Sequence, residues 1–198
     1  MNAHSAAGTH PAAALPAHLH RLVLTGFMGA GKTTVGRLLA ARLGWEFLDL
    51  DAYIESRAGL SVPAIFSTHG ERRFRRLESA ALASALSRDR LVLALGGGAP
   101  EVLTNRLLLE QTPGTSTIFL DAPFSTLFDR CMAQSHAAPT PAAPTLPEQL
   151  RPLRADPAAA EARFLARHPI YRRLAQLTLD TASLTPDQTV AALLTRLT

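Results

Sequence analysis

A single cysteine, Cys131, occurs in the whole sequence, so no internal disulfide can form and no Cys/His set has metal-ligand spacing. Cys131 itself reads as a partly buried small residue rather than a nucleophile. Long apolar runs are missing too: none approaches the ~20 residues that span a bilayer. Residues 1–17 lack the basic-then-apolar profile of a signal peptide, so the cytoplasm is the expected compartment. Aromatics are scarce, at 6%, which leaves alanine and leucine to build an aliphatic core. The net charge of +4 comes from scattered arginines and not from a basic stripe, which argues against nucleic acid as a partner. One local cluster, Arg72, Arg73, Arg75 and Arg76, reads as a solvated helix face, with an anionic small substrate as the alternative for one of the four. What is present, 198 residues at 47% hydrophobic, fits one globular domain. No surplus apolar surface is evident, and a monomer is expected.

Along the chain, residues 1–19 are rich in Ala, His and Pro without periodicity and read as a disordered tail. Residues 20–198 then alternate short apolar runs with helical periodicity. Strands are expected at Leu22–Leu24, Glu46–Leu50, Leu91–Leu95, Thr117–Leu120 and Leu177–Leu179. Helices are expected at Lys32–Leu43, through Arg57, at Val62–Thr68 and Glu71–Ser87, from Pro100 to about Glu110, from Phe124 to about Met132, and at Pro186–Leu197. Short, continuously apolar strands alternating with helices indicate an α/β fold, a parallel sheet covered on both faces. Residues Ala133–Pro147 break the rhythm with Ala, Pro, Thr and His, and a lid over about 132–155 is the expected reading.

After the first strand comes Gly26-Phe27-Met28-Gly29-Ala30-Gly31-Lys32-Thr33, a match to G-x-x-x-x-G-K-[ST]. The glycines let backbone N–H groups wrap phosphate oxygens, and the following helix adds the positive end of its dipole. Lys32 can reach the β- and γ-phosphates and Thr33 can ligate Mg²⁺. The spacing alone leaves open whether the nucleotide is hydrolysed or donates to an acceptor.

Asp49 and Asp51 flank Leu50 at the end of the second strand, where residues two apart point the same way. One could hold Mg²⁺ and the other accept a proton from an attacking hydroxyl; equally, Asp51 could simply cap the next helix. Arg75 and Glu78 are neighbours on a helix, either as a surface ion pair or as an arginine oriented to grip a carboxylate. Gly96-Gly97-Gly98 after the third strand read as a turn or as a close backbone approach to a ligand.

These segments together resemble the shikimate kinase family. The likeness rests on Gly26–Thr33 followed by Thr34-Val35-Gly36-Arg37, on Asp49-Leu50-Asp51, and on Gly70-Glu71 with Phe74-Arg75 and Glu78. It continues through Gly96–Gly98, Arg151-Pro152-Leu153, and Arg167-His168-Pro169-Ile170-Tyr171-Arg172-Arg173. The resemblance implies a P-loop kinase fold, five parallel strands in the order 2-3-1-4-5 with a mobile lid. It also implies transfer of phosphate from ATP, with Mg²⁺, to the 3-hydroxyl of shikimate in aromatic amino-acid biosynthesis. By position, Gly29, Ala30, Gly31, Lys32, Thr33 and Thr34 would hold the phosphates, and Arg130 would pack on the adenine. Thr33 and Asp49 would organise Mg²⁺, Asp51 would meet the reacting hydroxyl, and Arg75 and Arg167 would clamp the carboxylate beside Gly97 and Gly98. Arg151 would reach phosphate and substrate from the lid.

The sequence departs from the family pattern in a longer stretch between Arg130 and Arg151, in Arg154 after Pro152-Leu153, and in Thr181-Ala182-Ser183, which lacks an arginine many relatives place near the adenine. Two rival readings remain at this point. A kinase of another hydroxy acid such as gluconate shares the phosphate loop but gives no reason for Phe74-Arg75 with Gly96–Gly98. A non-catalytic metabolite-sensing domain gives no reason for the full set Lys32, Thr33, Asp49, Asp51, Arg75 and Arg151.

Overall fold

Each of the five residues Arg21–Thr25 is buried, and this run forms the central strand β1. Its side chains alternate between two cores: Leu22 and Leu24 enter one, Val23 the other. A strand covered on both faces has no solvent side, which is why its middle, Leu22–Leu24, is continuously apolar. The computed structural model describes residues 15–136 and 156–198. Around β1 stand β2 (Glu46–Asp49), β3 (Leu91–Ala94), β4 (Thr115–Asp121) and β5 (Leu177–Asp180), all parallel, in the order β2-β3-β1-β4-β5. This is the fold and strand order that the family resemblance implies.

Helix α1 (Lys32–Leu43) packs through Val35, Leu39 and Leu43 against one face, joined by the last helix through Val190, Leu193 and Leu197. On the other face lie α2 (Leu50–Ala58), α3 (Val62–Leu86) and α4 (Leu103–Gln111). Ser61 caps α3, and Gly70, at φ 74°, breaks it where the sequence suggests two helices. Pro100 opens a single 3₁₀ turn, Ala99–Glu101, and not α4 itself, which begins at Leu103. Helix α5 (Phe124–His136) runs four residues past the expected Met132, so residues 133–136 are helical and not part of an irregular stretch. The rest of that stretch, 137–155 with Arg151, lies outside the described residues. Helix α6 (Pro157–Leu174) is capped by Asp156, and α7 (Pro186–Leu197) by a capping box of Thr185 and Gln188.

Two sequence expectations need amending at their edges. Residues 15–19 do not belong to a disordered tail: Leu15 and Leu19 pack against the core. Strand β2 ends at Asp49, one residue early, because the Asp49 carboxylate accepts from the Asp51 and Ala52 amides and starts α2. The capping role open to Asp51 therefore falls to Asp49.

Beyond β1, the chain crosses to β2 and β3 on one side and to β4 and β5 on the other. The crevice at the carboxyl ends of these strands sits at that reversal, where open parallel sheets bind ligands.

Candidate active site

The loop between β1 and α1 turns on residues only glycine accommodates well. Gly29 has φ 78°, and a Cβ there would collide with the Leu127 carbonyl of α5 and lie 2.9 Å from Cys131 Sγ. The loop thus rests directly on α5. Helix α1 has no side-chain cap at Gly31, so its first amides face the crevice without an internal partner. Lys32 Nζ donates to the carbonyls of Gly26 (2.9 Å) and Phe27 (3.0 Å), curling back over the loop. Burial pulls the Lys32 ammonium below its ordinary range, while Asp51 and Asp49 hold it up. Ala30 is buried; Thr33 and Thr34 are exposed on the first turn.

Thr33 Oγ1 donates to Asp49 Oδ2 at 2.8 Å, so hydroxyl and carboxylate stand side by side at the crevice. Asp51, on the first turn of α2, approaches the glycine triplet: a Cβ at residue 96 would lie 2.7 Å from Asp51 Oδ1. Burial pushes its carboxyl up to about 7, with Asp49 and Glu78 adding and Lys32 opposing. Asp49 ends β2 and Asp51 lies in the first turn of α2, so the two aspartates do not share one face of a strand as their spacing suggests. They meet the same lysine nonetheless.

Arg75 donates from Nη1 to both carboxylate oxygens of Glu78 (3.2 and 2.9 Å), and from Nε and Nη2 to Glu71 Oε1 (3.2 and 3.1 Å). Glu78 is only 1% exposed, which rules out the surface-pair reading. The other three arginines of the cluster, Arg72, Arg73 and Arg76, are exposed, as a solvated face requires. A Cβ at residue 98 would lie 2.6 Å from Arg75 Nη2, so Gly98 makes room for the guanidinium. A Cβ at residue 97 would lie 3.6 Å from Arg167 Nη1, and the Gly97 carbonyl accepts from Tyr171 Oη. Arg75 from α3 and Arg167 from α6 are thereby brought together over the triplet.

Arg130 Nη2 donates to the carbonyls of Thr181 and Ala182, linking α5 to the segment after β5 that lacks the usual arginine. Burial pushes the Cys131 thiol up, and the residue is 1% exposed beneath the loop, as a packing role requires. Two participants escaped the sequence reading. Tyr171 lies in the Arg167–Arg173 segment, where nothing in the sequence points to its bond with the Gly97 carbonyl. Glu101, whose carboxylate receives two hydrogen bonds from Arg167, carried no signal beyond its place just after the triplet.

A phosphate cradle with a lysine folded into it, facing a carboxyl poised near neutrality and an arginine pair across one crevice, is equipment for moving a phosphoryl group. These features make the chain a P-loop phosphotransferase. The family profile described as shikimate kinase matches residues 28–198. The shikimate kinase of Bordetella pertussis is 41% identical over 194 residues, covering 96% of this chain and 84% of the relative. The solved shikimate kinase of Acinetobacter baumannii in complex with shikimate superposes with TM-score 0.75 at 35% identity, covering 90% of this chain and 92% of that one. A gluconokinase from Sinorhizobium meliloti superposes with TM-score 0.53 at 18% identity over 90% of this chain and 93% of its own, a likeness of fold alone. The chain belongs to the shikimate kinase family.

Proposed function

We propose that this chain transfers the γ-phosphoryl group of ATP to the 3-hydroxyl of shikimate, in the cytoplasm, as a step of chorismate biosynthesis. The observation that carries the reading is the convergence of Arg75 and Arg167 over Gly97 and Gly98, on the side of the crevice shared with Asp51. A monoanionic ring acid with several hydroxyls needs a cationic fork at one end and a hydroxyl acceptor at the other. The arginines supply the fork, and Asp51 orients the 3-hydroxyl and takes its proton.

The nucleotide side fits as well. The loop amides and the uncapped start of α1 hold phosphate oxygens, and Lys32 exchanges its two loop carbonyls for phosphate. Arg130 and the Thr181–Ala182 carbonyls mark the base end. Thr33 and Asp49 offer Mg²⁺ two hard oxygens. Such an ion keeps waters and shares phosphate oxygens, so two protein oxygens suffice. When bound, Mg²⁺ neutralises charge on the transferred group. Arg151 rests on the family resemblance for its place beside that group. Among the described residues no helix is long and apolar enough to cross a membrane.

The test is ADP release from ATP and Mg²⁺ with shikimate, with gluconate, and with neither. Turnover with shikimate alone supports the reading, with loss in Arg75→Ala. Turnover with gluconate instead refutes the assigned pocket, and binding without turnover refutes an enzymatic role.

A further inference from the structure

The two arginines assigned to the substrate carboxylate already hold a carboxylate. Arg167 donates from Nε to Glu101 Oε1 and from Nη2 to Glu101 Oε2, both at 3.0 Å, the paired fork by which arginine grips carboxylates. Arg75 Nη2 lies 3.7 Å from the same Oε2. Glu101 thus bridges both guanidinium groups, which are only 20% and 14% exposed.

The three glutamates around this pair are not equivalent. Glu78 is sealed in, at 1% exposed, and stays as the fixed orienter of Arg75. Glu71 is 66% exposed and lies on the outer side of Arg75. Glu101, at 39%, sits at the rim, and its backbone is pinned: Arg106 donates to the Pro100 and Glu101 carbonyls, and Asn105 to the Ala99 carbonyl. Its side chain is therefore the part free to turn out toward water. Arg75 keeps Glu71 and Glu78 whatever Glu101 does, but for Arg167, only 14% exposed, losing the Glu101 carboxylate would be costly.

Resting on the function proposed above, we infer that Glu101 is an internal stand-in for the acceptor's carboxylate. It keeps Arg75 and Arg167 gathered in the free protein and must be displaced by the acid that binds. The exchange trades one carboxylate for another, so Arg167 does not pass through an unpaired state while Arg75 keeps Glu78 throughout. Glu101 is accordingly a specificity-determining positioning residue: it competes with weakly held acids and yields only to one whose hydroxyls add further contacts.

The test is the KM of Glu101→Gln and Glu101→Thr for shikimate and for its neutral methyl ester, with calorimetric binding of shikimate alongside. Both variants should lower KM and Kd for shikimate about two- to fivefold, the range set by a partly exposed ion pair. KM for the ester should stay within twofold. If KM for shikimate rises or stays put, or ester and acid shift together, Glu101 is a support for the arginines and not a competitor. If the unaltered protein binds shikimate but one variant fails to fold, the other decides. An unaltered protein that neither binds nor phosphorylates shikimate overturns the function, and this inference with it.

Discussion

Replacing Asp51 by Asn should make the ligand-free protein more stable and inactive at once. Burial pushes the Asp51 carboxyl from an ordinary 3.8 up to about 7, with Asp49 and Glu78 reinforcing it. Its charged form is thus disfavoured in the folded chain relative to the unfolded one. The sign follows: between these two values the folded protein holds the proton more tightly, so stability is greatest at low pH and declines as pH rises through 7. A rise from 3.8 to about 7 corresponds to ~4 kcal/mol. Asp51 is only partly buried, however, and water in the open crevice reduces this to ~2 kcal/mol. For a chain of this size that is ~4–8 °C in Tm. Thermal unfolding of both proteins in EDTA, from pH 5 to 8.5, provides the assay. The advantage of Asp51→Asn should already be partial at pH 5, reach its full size by about pH 7 and stay level above it, while shikimate-dependent ADP release falls ~10²-fold or more. A pH-independent difference, or a variant less stable at pH 8, would refute the electrostatic account of this site.

Three further outcomes follow from the same geometry. Gly98→Ala puts a Cβ 2.6 Å from the Arg75 guanidinium, so KM for shikimate should rise at least ~10-fold with nucleotide affinity unchanged, as steady-state kinetics would report. Glu78→Gln removes the buried partner of Arg75 and should lower stability by ~2–3 kcal/mol in denaturant titration, while a loss under ~0.5 kcal/mol would show the pair to be energetically idle. Hydrogen bonds from Ser84 and then Arg57 lower the Tyr53 phenol to about 8, whereas burial pushes Tyr171 well above the ordinary range. Absorbance at 295 nm should therefore show one tyrosine ionising near pH 8, and Tyr53→Phe should abolish that step.

Sequence pattern revealed the elements whose partners are local. The phosphate loop, the strands and α1 each follow from spacing within a dozen residues, and all are present, the strands with ends shifted by one or two residues. Helix α6 carried no such signal: only Ala160, Tyr171 and Leu174 are buried, arginines and alanines fill the gaps, and Pro169 sits inside it. Its place is fixed by contacts with β4 and the 3₁₀ turn, which periodicity cannot register. The Arg75–Glu78 spacing showed that the two could meet, but not that Glu78 is sealed from water. Nor could the chain order show Glu101 reaching Arg167, because that contact exists only once the sheet has brought α6 over the glycine triplet.

Because β1 feeds two cores with alternate residues, it has no tolerance for a change in length. One inserted residue would send Leu22 and Leu24 into the core built for Val23, and turn the phosphate loop to the wrong face of the sheet. Evolution can lengthen such a chain only where no strand is counting. The phosphate-binding frame is thus fixed to the residue.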